Sequence, residues 1–177
     1  MTRILHVVGC KHAGKTRTCE VLIPPLRRLG LSVGTLKYTE HDGFDWDVEG
    51  KDTFRHRQAG SDITGIFGRH CYAFSDNRAQ AQGISIAQMI RTFYSGLDLV
   101  LIEGYRMDEA RKIEVLRPGY TDHAVANPSQ LVATYGERLF EYQAPHFAYG
   151  AENQLALHIL THLTELTSFD DHQPQAE

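Results

Sequence analysis

The sequence predicts an α/β protein of the P-loop NTPase class, a three-layer sandwich with a mostly parallel central sheet and an added β-hairpin. Three observations carry this. The strand-length apolar run Ile4-Leu5-His6-Val7-Val8 leads into Gly9-Cys10-Lys11-His12-Ala13-Gly14-Lys15-Thr16, which fits the G-x-x-x-x-G-K-[ST] pattern of a phosphate-binding loop. An amphipathic segment follows, with Cys19, Leu22, Leu26 and Leu29 on one helical face. Far along the chain, residues 97–104 form a near-continuous apolar run, the pattern of a strand covered on both faces of a parallel sheet.

Each element has a local reason. Gly9 and Gly14 let the backbone curl so that successive N–H groups point inward as an anion nest, and the helix that begins near Lys15 adds its partially positive end. Lys15 reaches the outer phosphates in such a loop, and the Thr16 hydroxyl holds Mg²⁺. Pro24 and Pro25 remove two backbone donors, so a kink is expected near residues 21–23, and Gly30 ends the helix. Residues 31–37 read as the second strand, which a right-handed βαβ crossover from the first should make parallel to it. Residues 38–50 lack periodicity and are rich in Asp, Glu, His and Gly. They follow the carboxyl end of a strand, the side where ligands sit in open α/β sheets. This stretch is either a ligand loop or an ordinary solvated one.

A helix is expected over 51–60, with Asp52 near its N-terminus. The β-rich runs 62–67 and 70–75 read as a hairpin. Residues 84–94 read as a helix with Ile86, Met89, Ile90 and Phe93 inward, closed by Gly96. Residues 112–116 and 131–134 are further strands, joined by a loop with turn signals at Pro118-Gly119 and Asn127-Pro128. The last helix is expected over 151–166 on a stripe of Leu155, Ile159, Leu163 and Leu166. A single domain over 1–167 and a polar, disordered tail over 168–177 complete the expected layout.

Composition narrows the function. The length of 177 residues and an apolar fraction of 42 % suit one compact domain. A net charge of −4 and a pI near 6.2 give no global field for nucleic acid or an anionic membrane. The three cysteines, Cys10, Cys19 and Cys71, are scattered, show no zinc-ligand spacing, and read as the reduced thiols of a cytoplasmic protein. No signal-peptide pattern and no run of membrane-spanning length stand out.

A phosphate loop needs a second carboxylate to order Mg²⁺ or water. Asp98 and Glu103 flank the central strand, roughly 16 Å apart. Only Glu103 stands at the carboxyl end, where the loop sits; Asp98 faces the opposite rim. Asp45, Asp47 and Asp52 could hold water around the ion, since Mg²⁺ keeps several waters. His41 either contacts a ligand or is solvated, and Lys11 either adds charge to the loop or is solvated. Arg55 and Arg57 carry the same alternatives.

At this point the chain resembles a known family. The loop over 9–16, Lys37, His41-Asp42-Gly43-Phe44-Asp45-Trp46-Asp47, Gly50-Lys51-Asp52-Thr53, Arg55-His56-Arg57-Gln58-Ala59-Gly60, residues 98–105 ending in Glu103-Gly104-Tyr105, and Lys112–Pro118 occur in one order over roughly residues 3–135. This series resembles the molybdopterin-guanine dinucleotide biosynthesis protein B (MobB) family. The resemblance implies a GTP-binding adaptor in molybdenum cofactor biosynthesis, usually dimeric, with at most weak GTPase activity. Such proteins assist the guanylyltransferase MobA, which attaches GMP to molybdopterin. Carried over by position, Gly9, Lys11, His12, Ala13, Gly14, Lys15, Thr16 and Arg17 would bind the nucleotide, and Thr16 with Glu103 would serve Mg²⁺. His41, Asp42, Asp45, Asp47, Lys51 and Asp52 would lie beside the nucleotide or the molybdenum cofactor. Catalytic residues are not assigned. Tyr38 stands where the family often has histidine, and Arg17 where it often has a second threonine. The alternative is a small-molecule kinase of the same fold class using the 38–50 loop as its acceptor site, with Asp45 or Asp47 as base. A histidine-rich metal carrier lacks paired-ligand spacing.

Overall fold

The structure is a computed structural model, in which residues 1–39, 47–76, 78, 84–104 and 109–168 are described. The chain divides into two compact units, Met1–Thr39 with Ile90–Glu177, and Glu40–Met89.

The larger unit is built on a seven-stranded sheet. Its strands are β1 (Arg3–Val8), β2 (Val33–Lys37), β5 (Leu99–Glu103), β6 (Lys112–Leu116), β7 (Leu131–Gly136), β8 (His146–Phe147) and β9 (Thr167–Ser168). The first six run parallel in the order β2-β5-β1-β6-β7-β8. β9 pairs antiparallel with Arg3 and Ile4 of β1, below the point where β6 joins it at His6.

Alternation explains the core. Leu5, Val7, Leu99, Leu101, Ile113, Val115, Ala133 and Tyr135 belong to one apolar cluster. Successive side chains in a strand point to opposite faces, so these residues share one side of the sheet. Helices α1 (Lys15–Arg28) and α4 (Glu152–Thr161) supply Cys19, Leu22, Leu26, Leu155, Ala156 and Ile159 to the same cluster. Burying each such leucine or isoleucine contributes about 1.5–3 kcal/mol. Two ionisable side chains of β6, Lys112 and Glu114, are also buried, and both are bonded. Lys112 Nζ donates to Ala110 O and Gln130 Oε1, while Glu114 accepts the amides of Val125 and Ala126.

Several elements refine or depart from expectation. β2 is parallel to β1, as expected, with β5 between them. The reason is burial. Leu99–Ile102 are fully buried, whereas β2 has only half-buried and exposed residues and takes the edge. α1 runs as one helix through Pro24 and Pro25. It ends in a Schellman motif: Gly30 has φ 91°, Gly30 N donates to Arg27 O and Leu31 N donates to Leu26 O. Helix α3 (Ile86–Phe93) buries only Ile90 of the four expected inward residues; Phe93 is exposed. The final helix stops at Thr161, and a 3₁₀ turn, Leu163–Glu165, carries the stripe to the buried Leu166. Ser168, expected to open the tail, is buried in β9; residues 169–177 lie outside the described residues.

The smaller unit contains α2 (Asp52–Gln58) and the antiparallel pair β3 (Ile63–Phe67) and β4 (Tyr72–Asp76). The expected hairpin is present, in register from Ile63 opposite Asp76 to Phe67 opposite Tyr72.

Candidate phosphate-loop site

Residues 9–14 connect the carboxyl end of β1 to the first turn of α1. The backbone makes the curl that the glycine pattern demands. Gly14 has φ 102° and its missing side chain leaves open space; Gly9 has φ 150°, and a Cβ there would stand 2.8 Å from Val115 O. His12 adopts φ 63°, an unusual backbone for a residue with a Cβ. Ala13 is buried and its amide closes the turn onto Cys10 O at 3.2 Å.

Lys15 folds back over the loop. Its Nζ donates to Gly9 O at 3.0 Å and Cys10 O at 2.9 Å. Lys15 and Lys11 border a cavity of about 200 Å³ that also touches Val8, Gly9 and Gly104. Thr16 Oγ1 donates to Glu103 Oε1 at 2.7 Å, and the same oxygen is 3.8 Å from Lys37 Nζ. The neighbouring strand ends explain this meeting: Lys37 of β2 is in register with Glu103 of β5, which in turn faces Val7 of β1. Arg17 makes an exposed ion pair with Glu20 at 3.2 Å.

Asp98, by contrast, stands at the amino end of β5. Its carboxylate accepts Ser32 N at 2.7 Å and Ser32 Oγ at 2.6 Å, and these bonds hold it below the usual carboxylate range.

Of the expected ligand loop, His41, Asp42 and Asp45 lie outside the described residues. Asp47, Lys51 and Asp52 belong to the smaller unit. There Asp47 accepts from Val48 N and Thr53 Oγ1, Lys51 caps α2 through its backbone, and Asp52 opens that helix.

Two features of this region were not read from the sequence. Arg117 Nη1 donates to His12 O at 3.2 Å, and its guanidinium lies 4.4 Å from the Tyr120 ring centroid. Beside Gly14 opens a cleft of about 570 Å³, bordered by Arg17, Thr18, Arg117, Tyr135, Tyr149 and Glu152. Tyr135 OH donates to Glu152, which lowers the carboxyl pKa. The turn signal Pro118-Gly119 marks the loop after β6, but nothing local brings Arg117 to His12.

A parallel sheet with a glycine-bounded loop between β1 and α1 defines the class: this is a protein of the P-loop NTPase fold. The sequence pattern of the family described as "Molybdopterin guanine dinucleotide synthesis protein B" matches residues 4–136. The chain belongs to this family, MobB. It is 32% identical over 133 residues to the Escherichia coli (strain K12) "Molybdopterin-guanine dinucleotide biosynthesis adapter protein", covering 75% of this chain and 73% of that one. It is 32% identical over 116 residues to the "Probable molybdopterin-guanine dinucleotide biosynthesis adapter protein" of Bacillus subtilis (strain 168), covering 64% of each. The fold is similar to the crystal structure of Bacillus subtilis MobB, with TM-score 0.65, 26% identity and coverage of 94% and 99%. It is also similar to a second structure titled molybdopterin-guanine biosynthesis protein B, with TM-score 0.66, 22% identity and coverage of 91% and 99%.

Proposed function

We propose that this chain is a GTP-binding adapter in the biosynthesis of molybdopterin guanine dinucleotide, working beside a MobA-type guanylyltransferase. Membership of the MobB family supports the pathway. The observation that carries the nucleotide reading is the hydrogen bond from Thr16 Oγ1 to Glu103 Oε1 at 2.7 Å, beside the Lys15 ammonium.

The donor set suits the ligand. Hydroxyl and carboxylate oxygens are what Mg²⁺ takes, leaving room for waters. Thr16 and Glu103 would hold the ion, whose charge would offset that of the triphosphate. Lys15 would exchange its two carbonyl partners for phosphate oxygens, so that both donor and acceptor carry charge where only the ammonium does now. The amides over Gly9–Thr16 would cradle the phosphates, with Lys11, His12, Ala13 and Gly14 supplying the curl and Arg17 the rim. The cleft beside Gly14 has the volume of a small-molecule site and would receive the nucleoside.

Hydrolysis is slow on this reading. No described residue of the loop is a water-positioning glutamine, and Arg117 is bonded to His12 O; such groups account for several orders of magnitude in rate. The adapter acts as a cytoplasmic homodimer and takes the molybdenum cofactor as its second ligand. The exposed side chains of Ile66, Phe67 and Tyr72 on the hairpin suit cover by a second copy, since a two-stranded sheet is marginal in water. Among the described residues no helix is long and apolar enough to cross a membrane.

Calorimetric titration with GTP and ATP, with and without Mg²⁺, tests the proposal. GTP binds in preference to ATP, and Lys15→Ala weakens GTP about 10- to 100-fold, the scale of one charged hydrogen bond. Glu103→Gln removes most of the gain that Mg²⁺ confers. Unchanged GTP affinity in Lys15→Ala would remove the site. Rapid transfer of labelled γ-phosphate to a pterin or nucleoside acceptor would instead establish the kinase reading.

A further inference from the structure

We propose that Cys10, Asp122 and His123 form a binding site for a borderline-soft divalent ion, zinc in particular. Cys10 Sγ lies 3.7 Å from Asp122 Oδ1, and His123 Nδ1 lies 2.5 Å from the same oxygen. One ligand atom of each residue falls within 4.8 Å of the other two. Thiolate, imidazole and carboxylate together are a zinc set of three with a fourth position left open. A sulfur ligand selects against Mg²⁺ and Ca²⁺, which take oxygen.

The site is preformed on both sides. Cys10 is fixed by the phosphate loop, whose Ala13 amide bonds its carbonyl. The segment carrying Asp122 and His123 is clamped at each end. Before it, Arg117 N donates to Thr121 Oγ1 at 3.0 Å and Thr121 N to Arg117 O at 2.9 Å. After it, the fully buried Glu114 accepts Val125 N at 2.6 Å and Ala126 N at 3.2 Å. A buried carboxylate that binds two successive loop amides is a strong constraint, and here it sets the turn that faces Cys10. Cys10 is buried, whereas the Asp122 and His123 side chains are 85% and 68% exposed, so an ion can enter from solvent.

The exchange balances without a further reactant. The Cys10 S–H bond breaks, a sulfur–zinc bond forms, and one proton passes to the buffer. The Nδ1 proton that His123 donates to Asp122 moves to Nε2 through solvent, which frees the Nδ1 lone pair, and an Asp122 oxygen gives up its hydrogen bonds for the ion. Because Cys10 O also holds the Lys15 ammonium at 2.9 Å, the ion binds a residue whose backbone belongs to the phosphate loop.

The full chain, reduced and stripped of metal, is titrated with Co²⁺ and then Zn²⁺ in the absence of nucleotide, so the outcome is independent of the GTP reading. One equivalent of Co²⁺ gives a thiolate charge-transfer band that Zn²⁺ abolishes. Cys10→Ser removes the band, and Cys71→Ser keeps it. Asp122→Asn and His123→Ala, at exposed positions that spare the fold, each weaken Zn²⁺ by at least about tenfold, a scale that even outer-shell partners command. A wild-type chain with no band, a band that survives Cys10→Ser, or wild-type Zn²⁺ affinity in both Asp122→Asn and His123→Ala would overturn the proposal.

Discussion

At the scale of single residues, the demands on backbone geometry are sharpest where a strand ends beside another chain segment. Gly136 closes β7 with φ 123°, and a Cβ there would stand 2.1 Å from Leu116 O, which also accepts the Tyr149 hydroxyl. Both the left-handed backbone and the clash oppose a side chain. Gly136→Ala therefore lowers stability by at least about 2 kcal/mol, read as a lower urea midpoint with unchanged slope. The loop glycines differ in kind. Gly9 lines the cavity beside Lys15 but a Cβ there would meet Val115 O, whereas a Cβ at Gly14 would meet open space. The motif already pointed to Lys15 and Thr16, and the carboxyl end of the apolar strand to Glu103. Arg117 was not legible, because its partner His12 is 105 residues away.

At the scale of elements, α1 carries a conflict between sequence and structure. Pro24 and Pro25 sit inside a fourteen-residue helix, where proline removes a bond and crowds the preceding turn. The helix persists because its apolar face, with Leu22, Pro25 and Leu26 buried, joins the core. Pro24 is exposed and adds nothing to that face. Pro24→Ala restores a donor toward Glu20 O and stabilises the fold by about 1–2 kcal/mol, the helical cost of proline less its benefit in the unfolded chain; a raised thermal midpoint checks this. The opposite lesson comes from α3. Its stripe looked like a core face, yet Phe93 is 43% exposed. Periodicity reports which residues share a face, and whether anything covers that face is a tertiary matter.

At the scale of the whole molecule, stability depends on pH through groups that folding desolvates. His146 of β8 contacts Thr134 Oγ1 at 2.9 Å, and burial, with a smaller contribution from Arg138, holds its pKa below the ordinary value. Its neutral form is favoured in the fold, while the unfolded chain takes up a proton near pH 6.5. Between those values the unfolded state binds more protons, so stability rises with pH. The contribution is complete above about pH 6.5 and is lost as pH falls through the lower folded value. Urea midpoints measured from pH 7 to 5 fall less steeply in His146→Gln than in the wild type.

Sequence by itself determined the phosphate loop, the strand and helix flanking it, the hairpin, and the central strand with a carboxylate at its end. All of these are written in residues a few positions apart, where backbone chemistry and hydrophobic period act directly. Tertiary structure alone decided that β5 separates β1 from β2, that the two-residue strands β8 and β9 complete the sheet, and that Arg117 reaches His12. It also decided that Cys10 meets Asp122 and His123. Most of these contacts join segments far apart in the chain, and which edges and loops meet is set by competition among all the strands for buried positions, with no trace in local spacing.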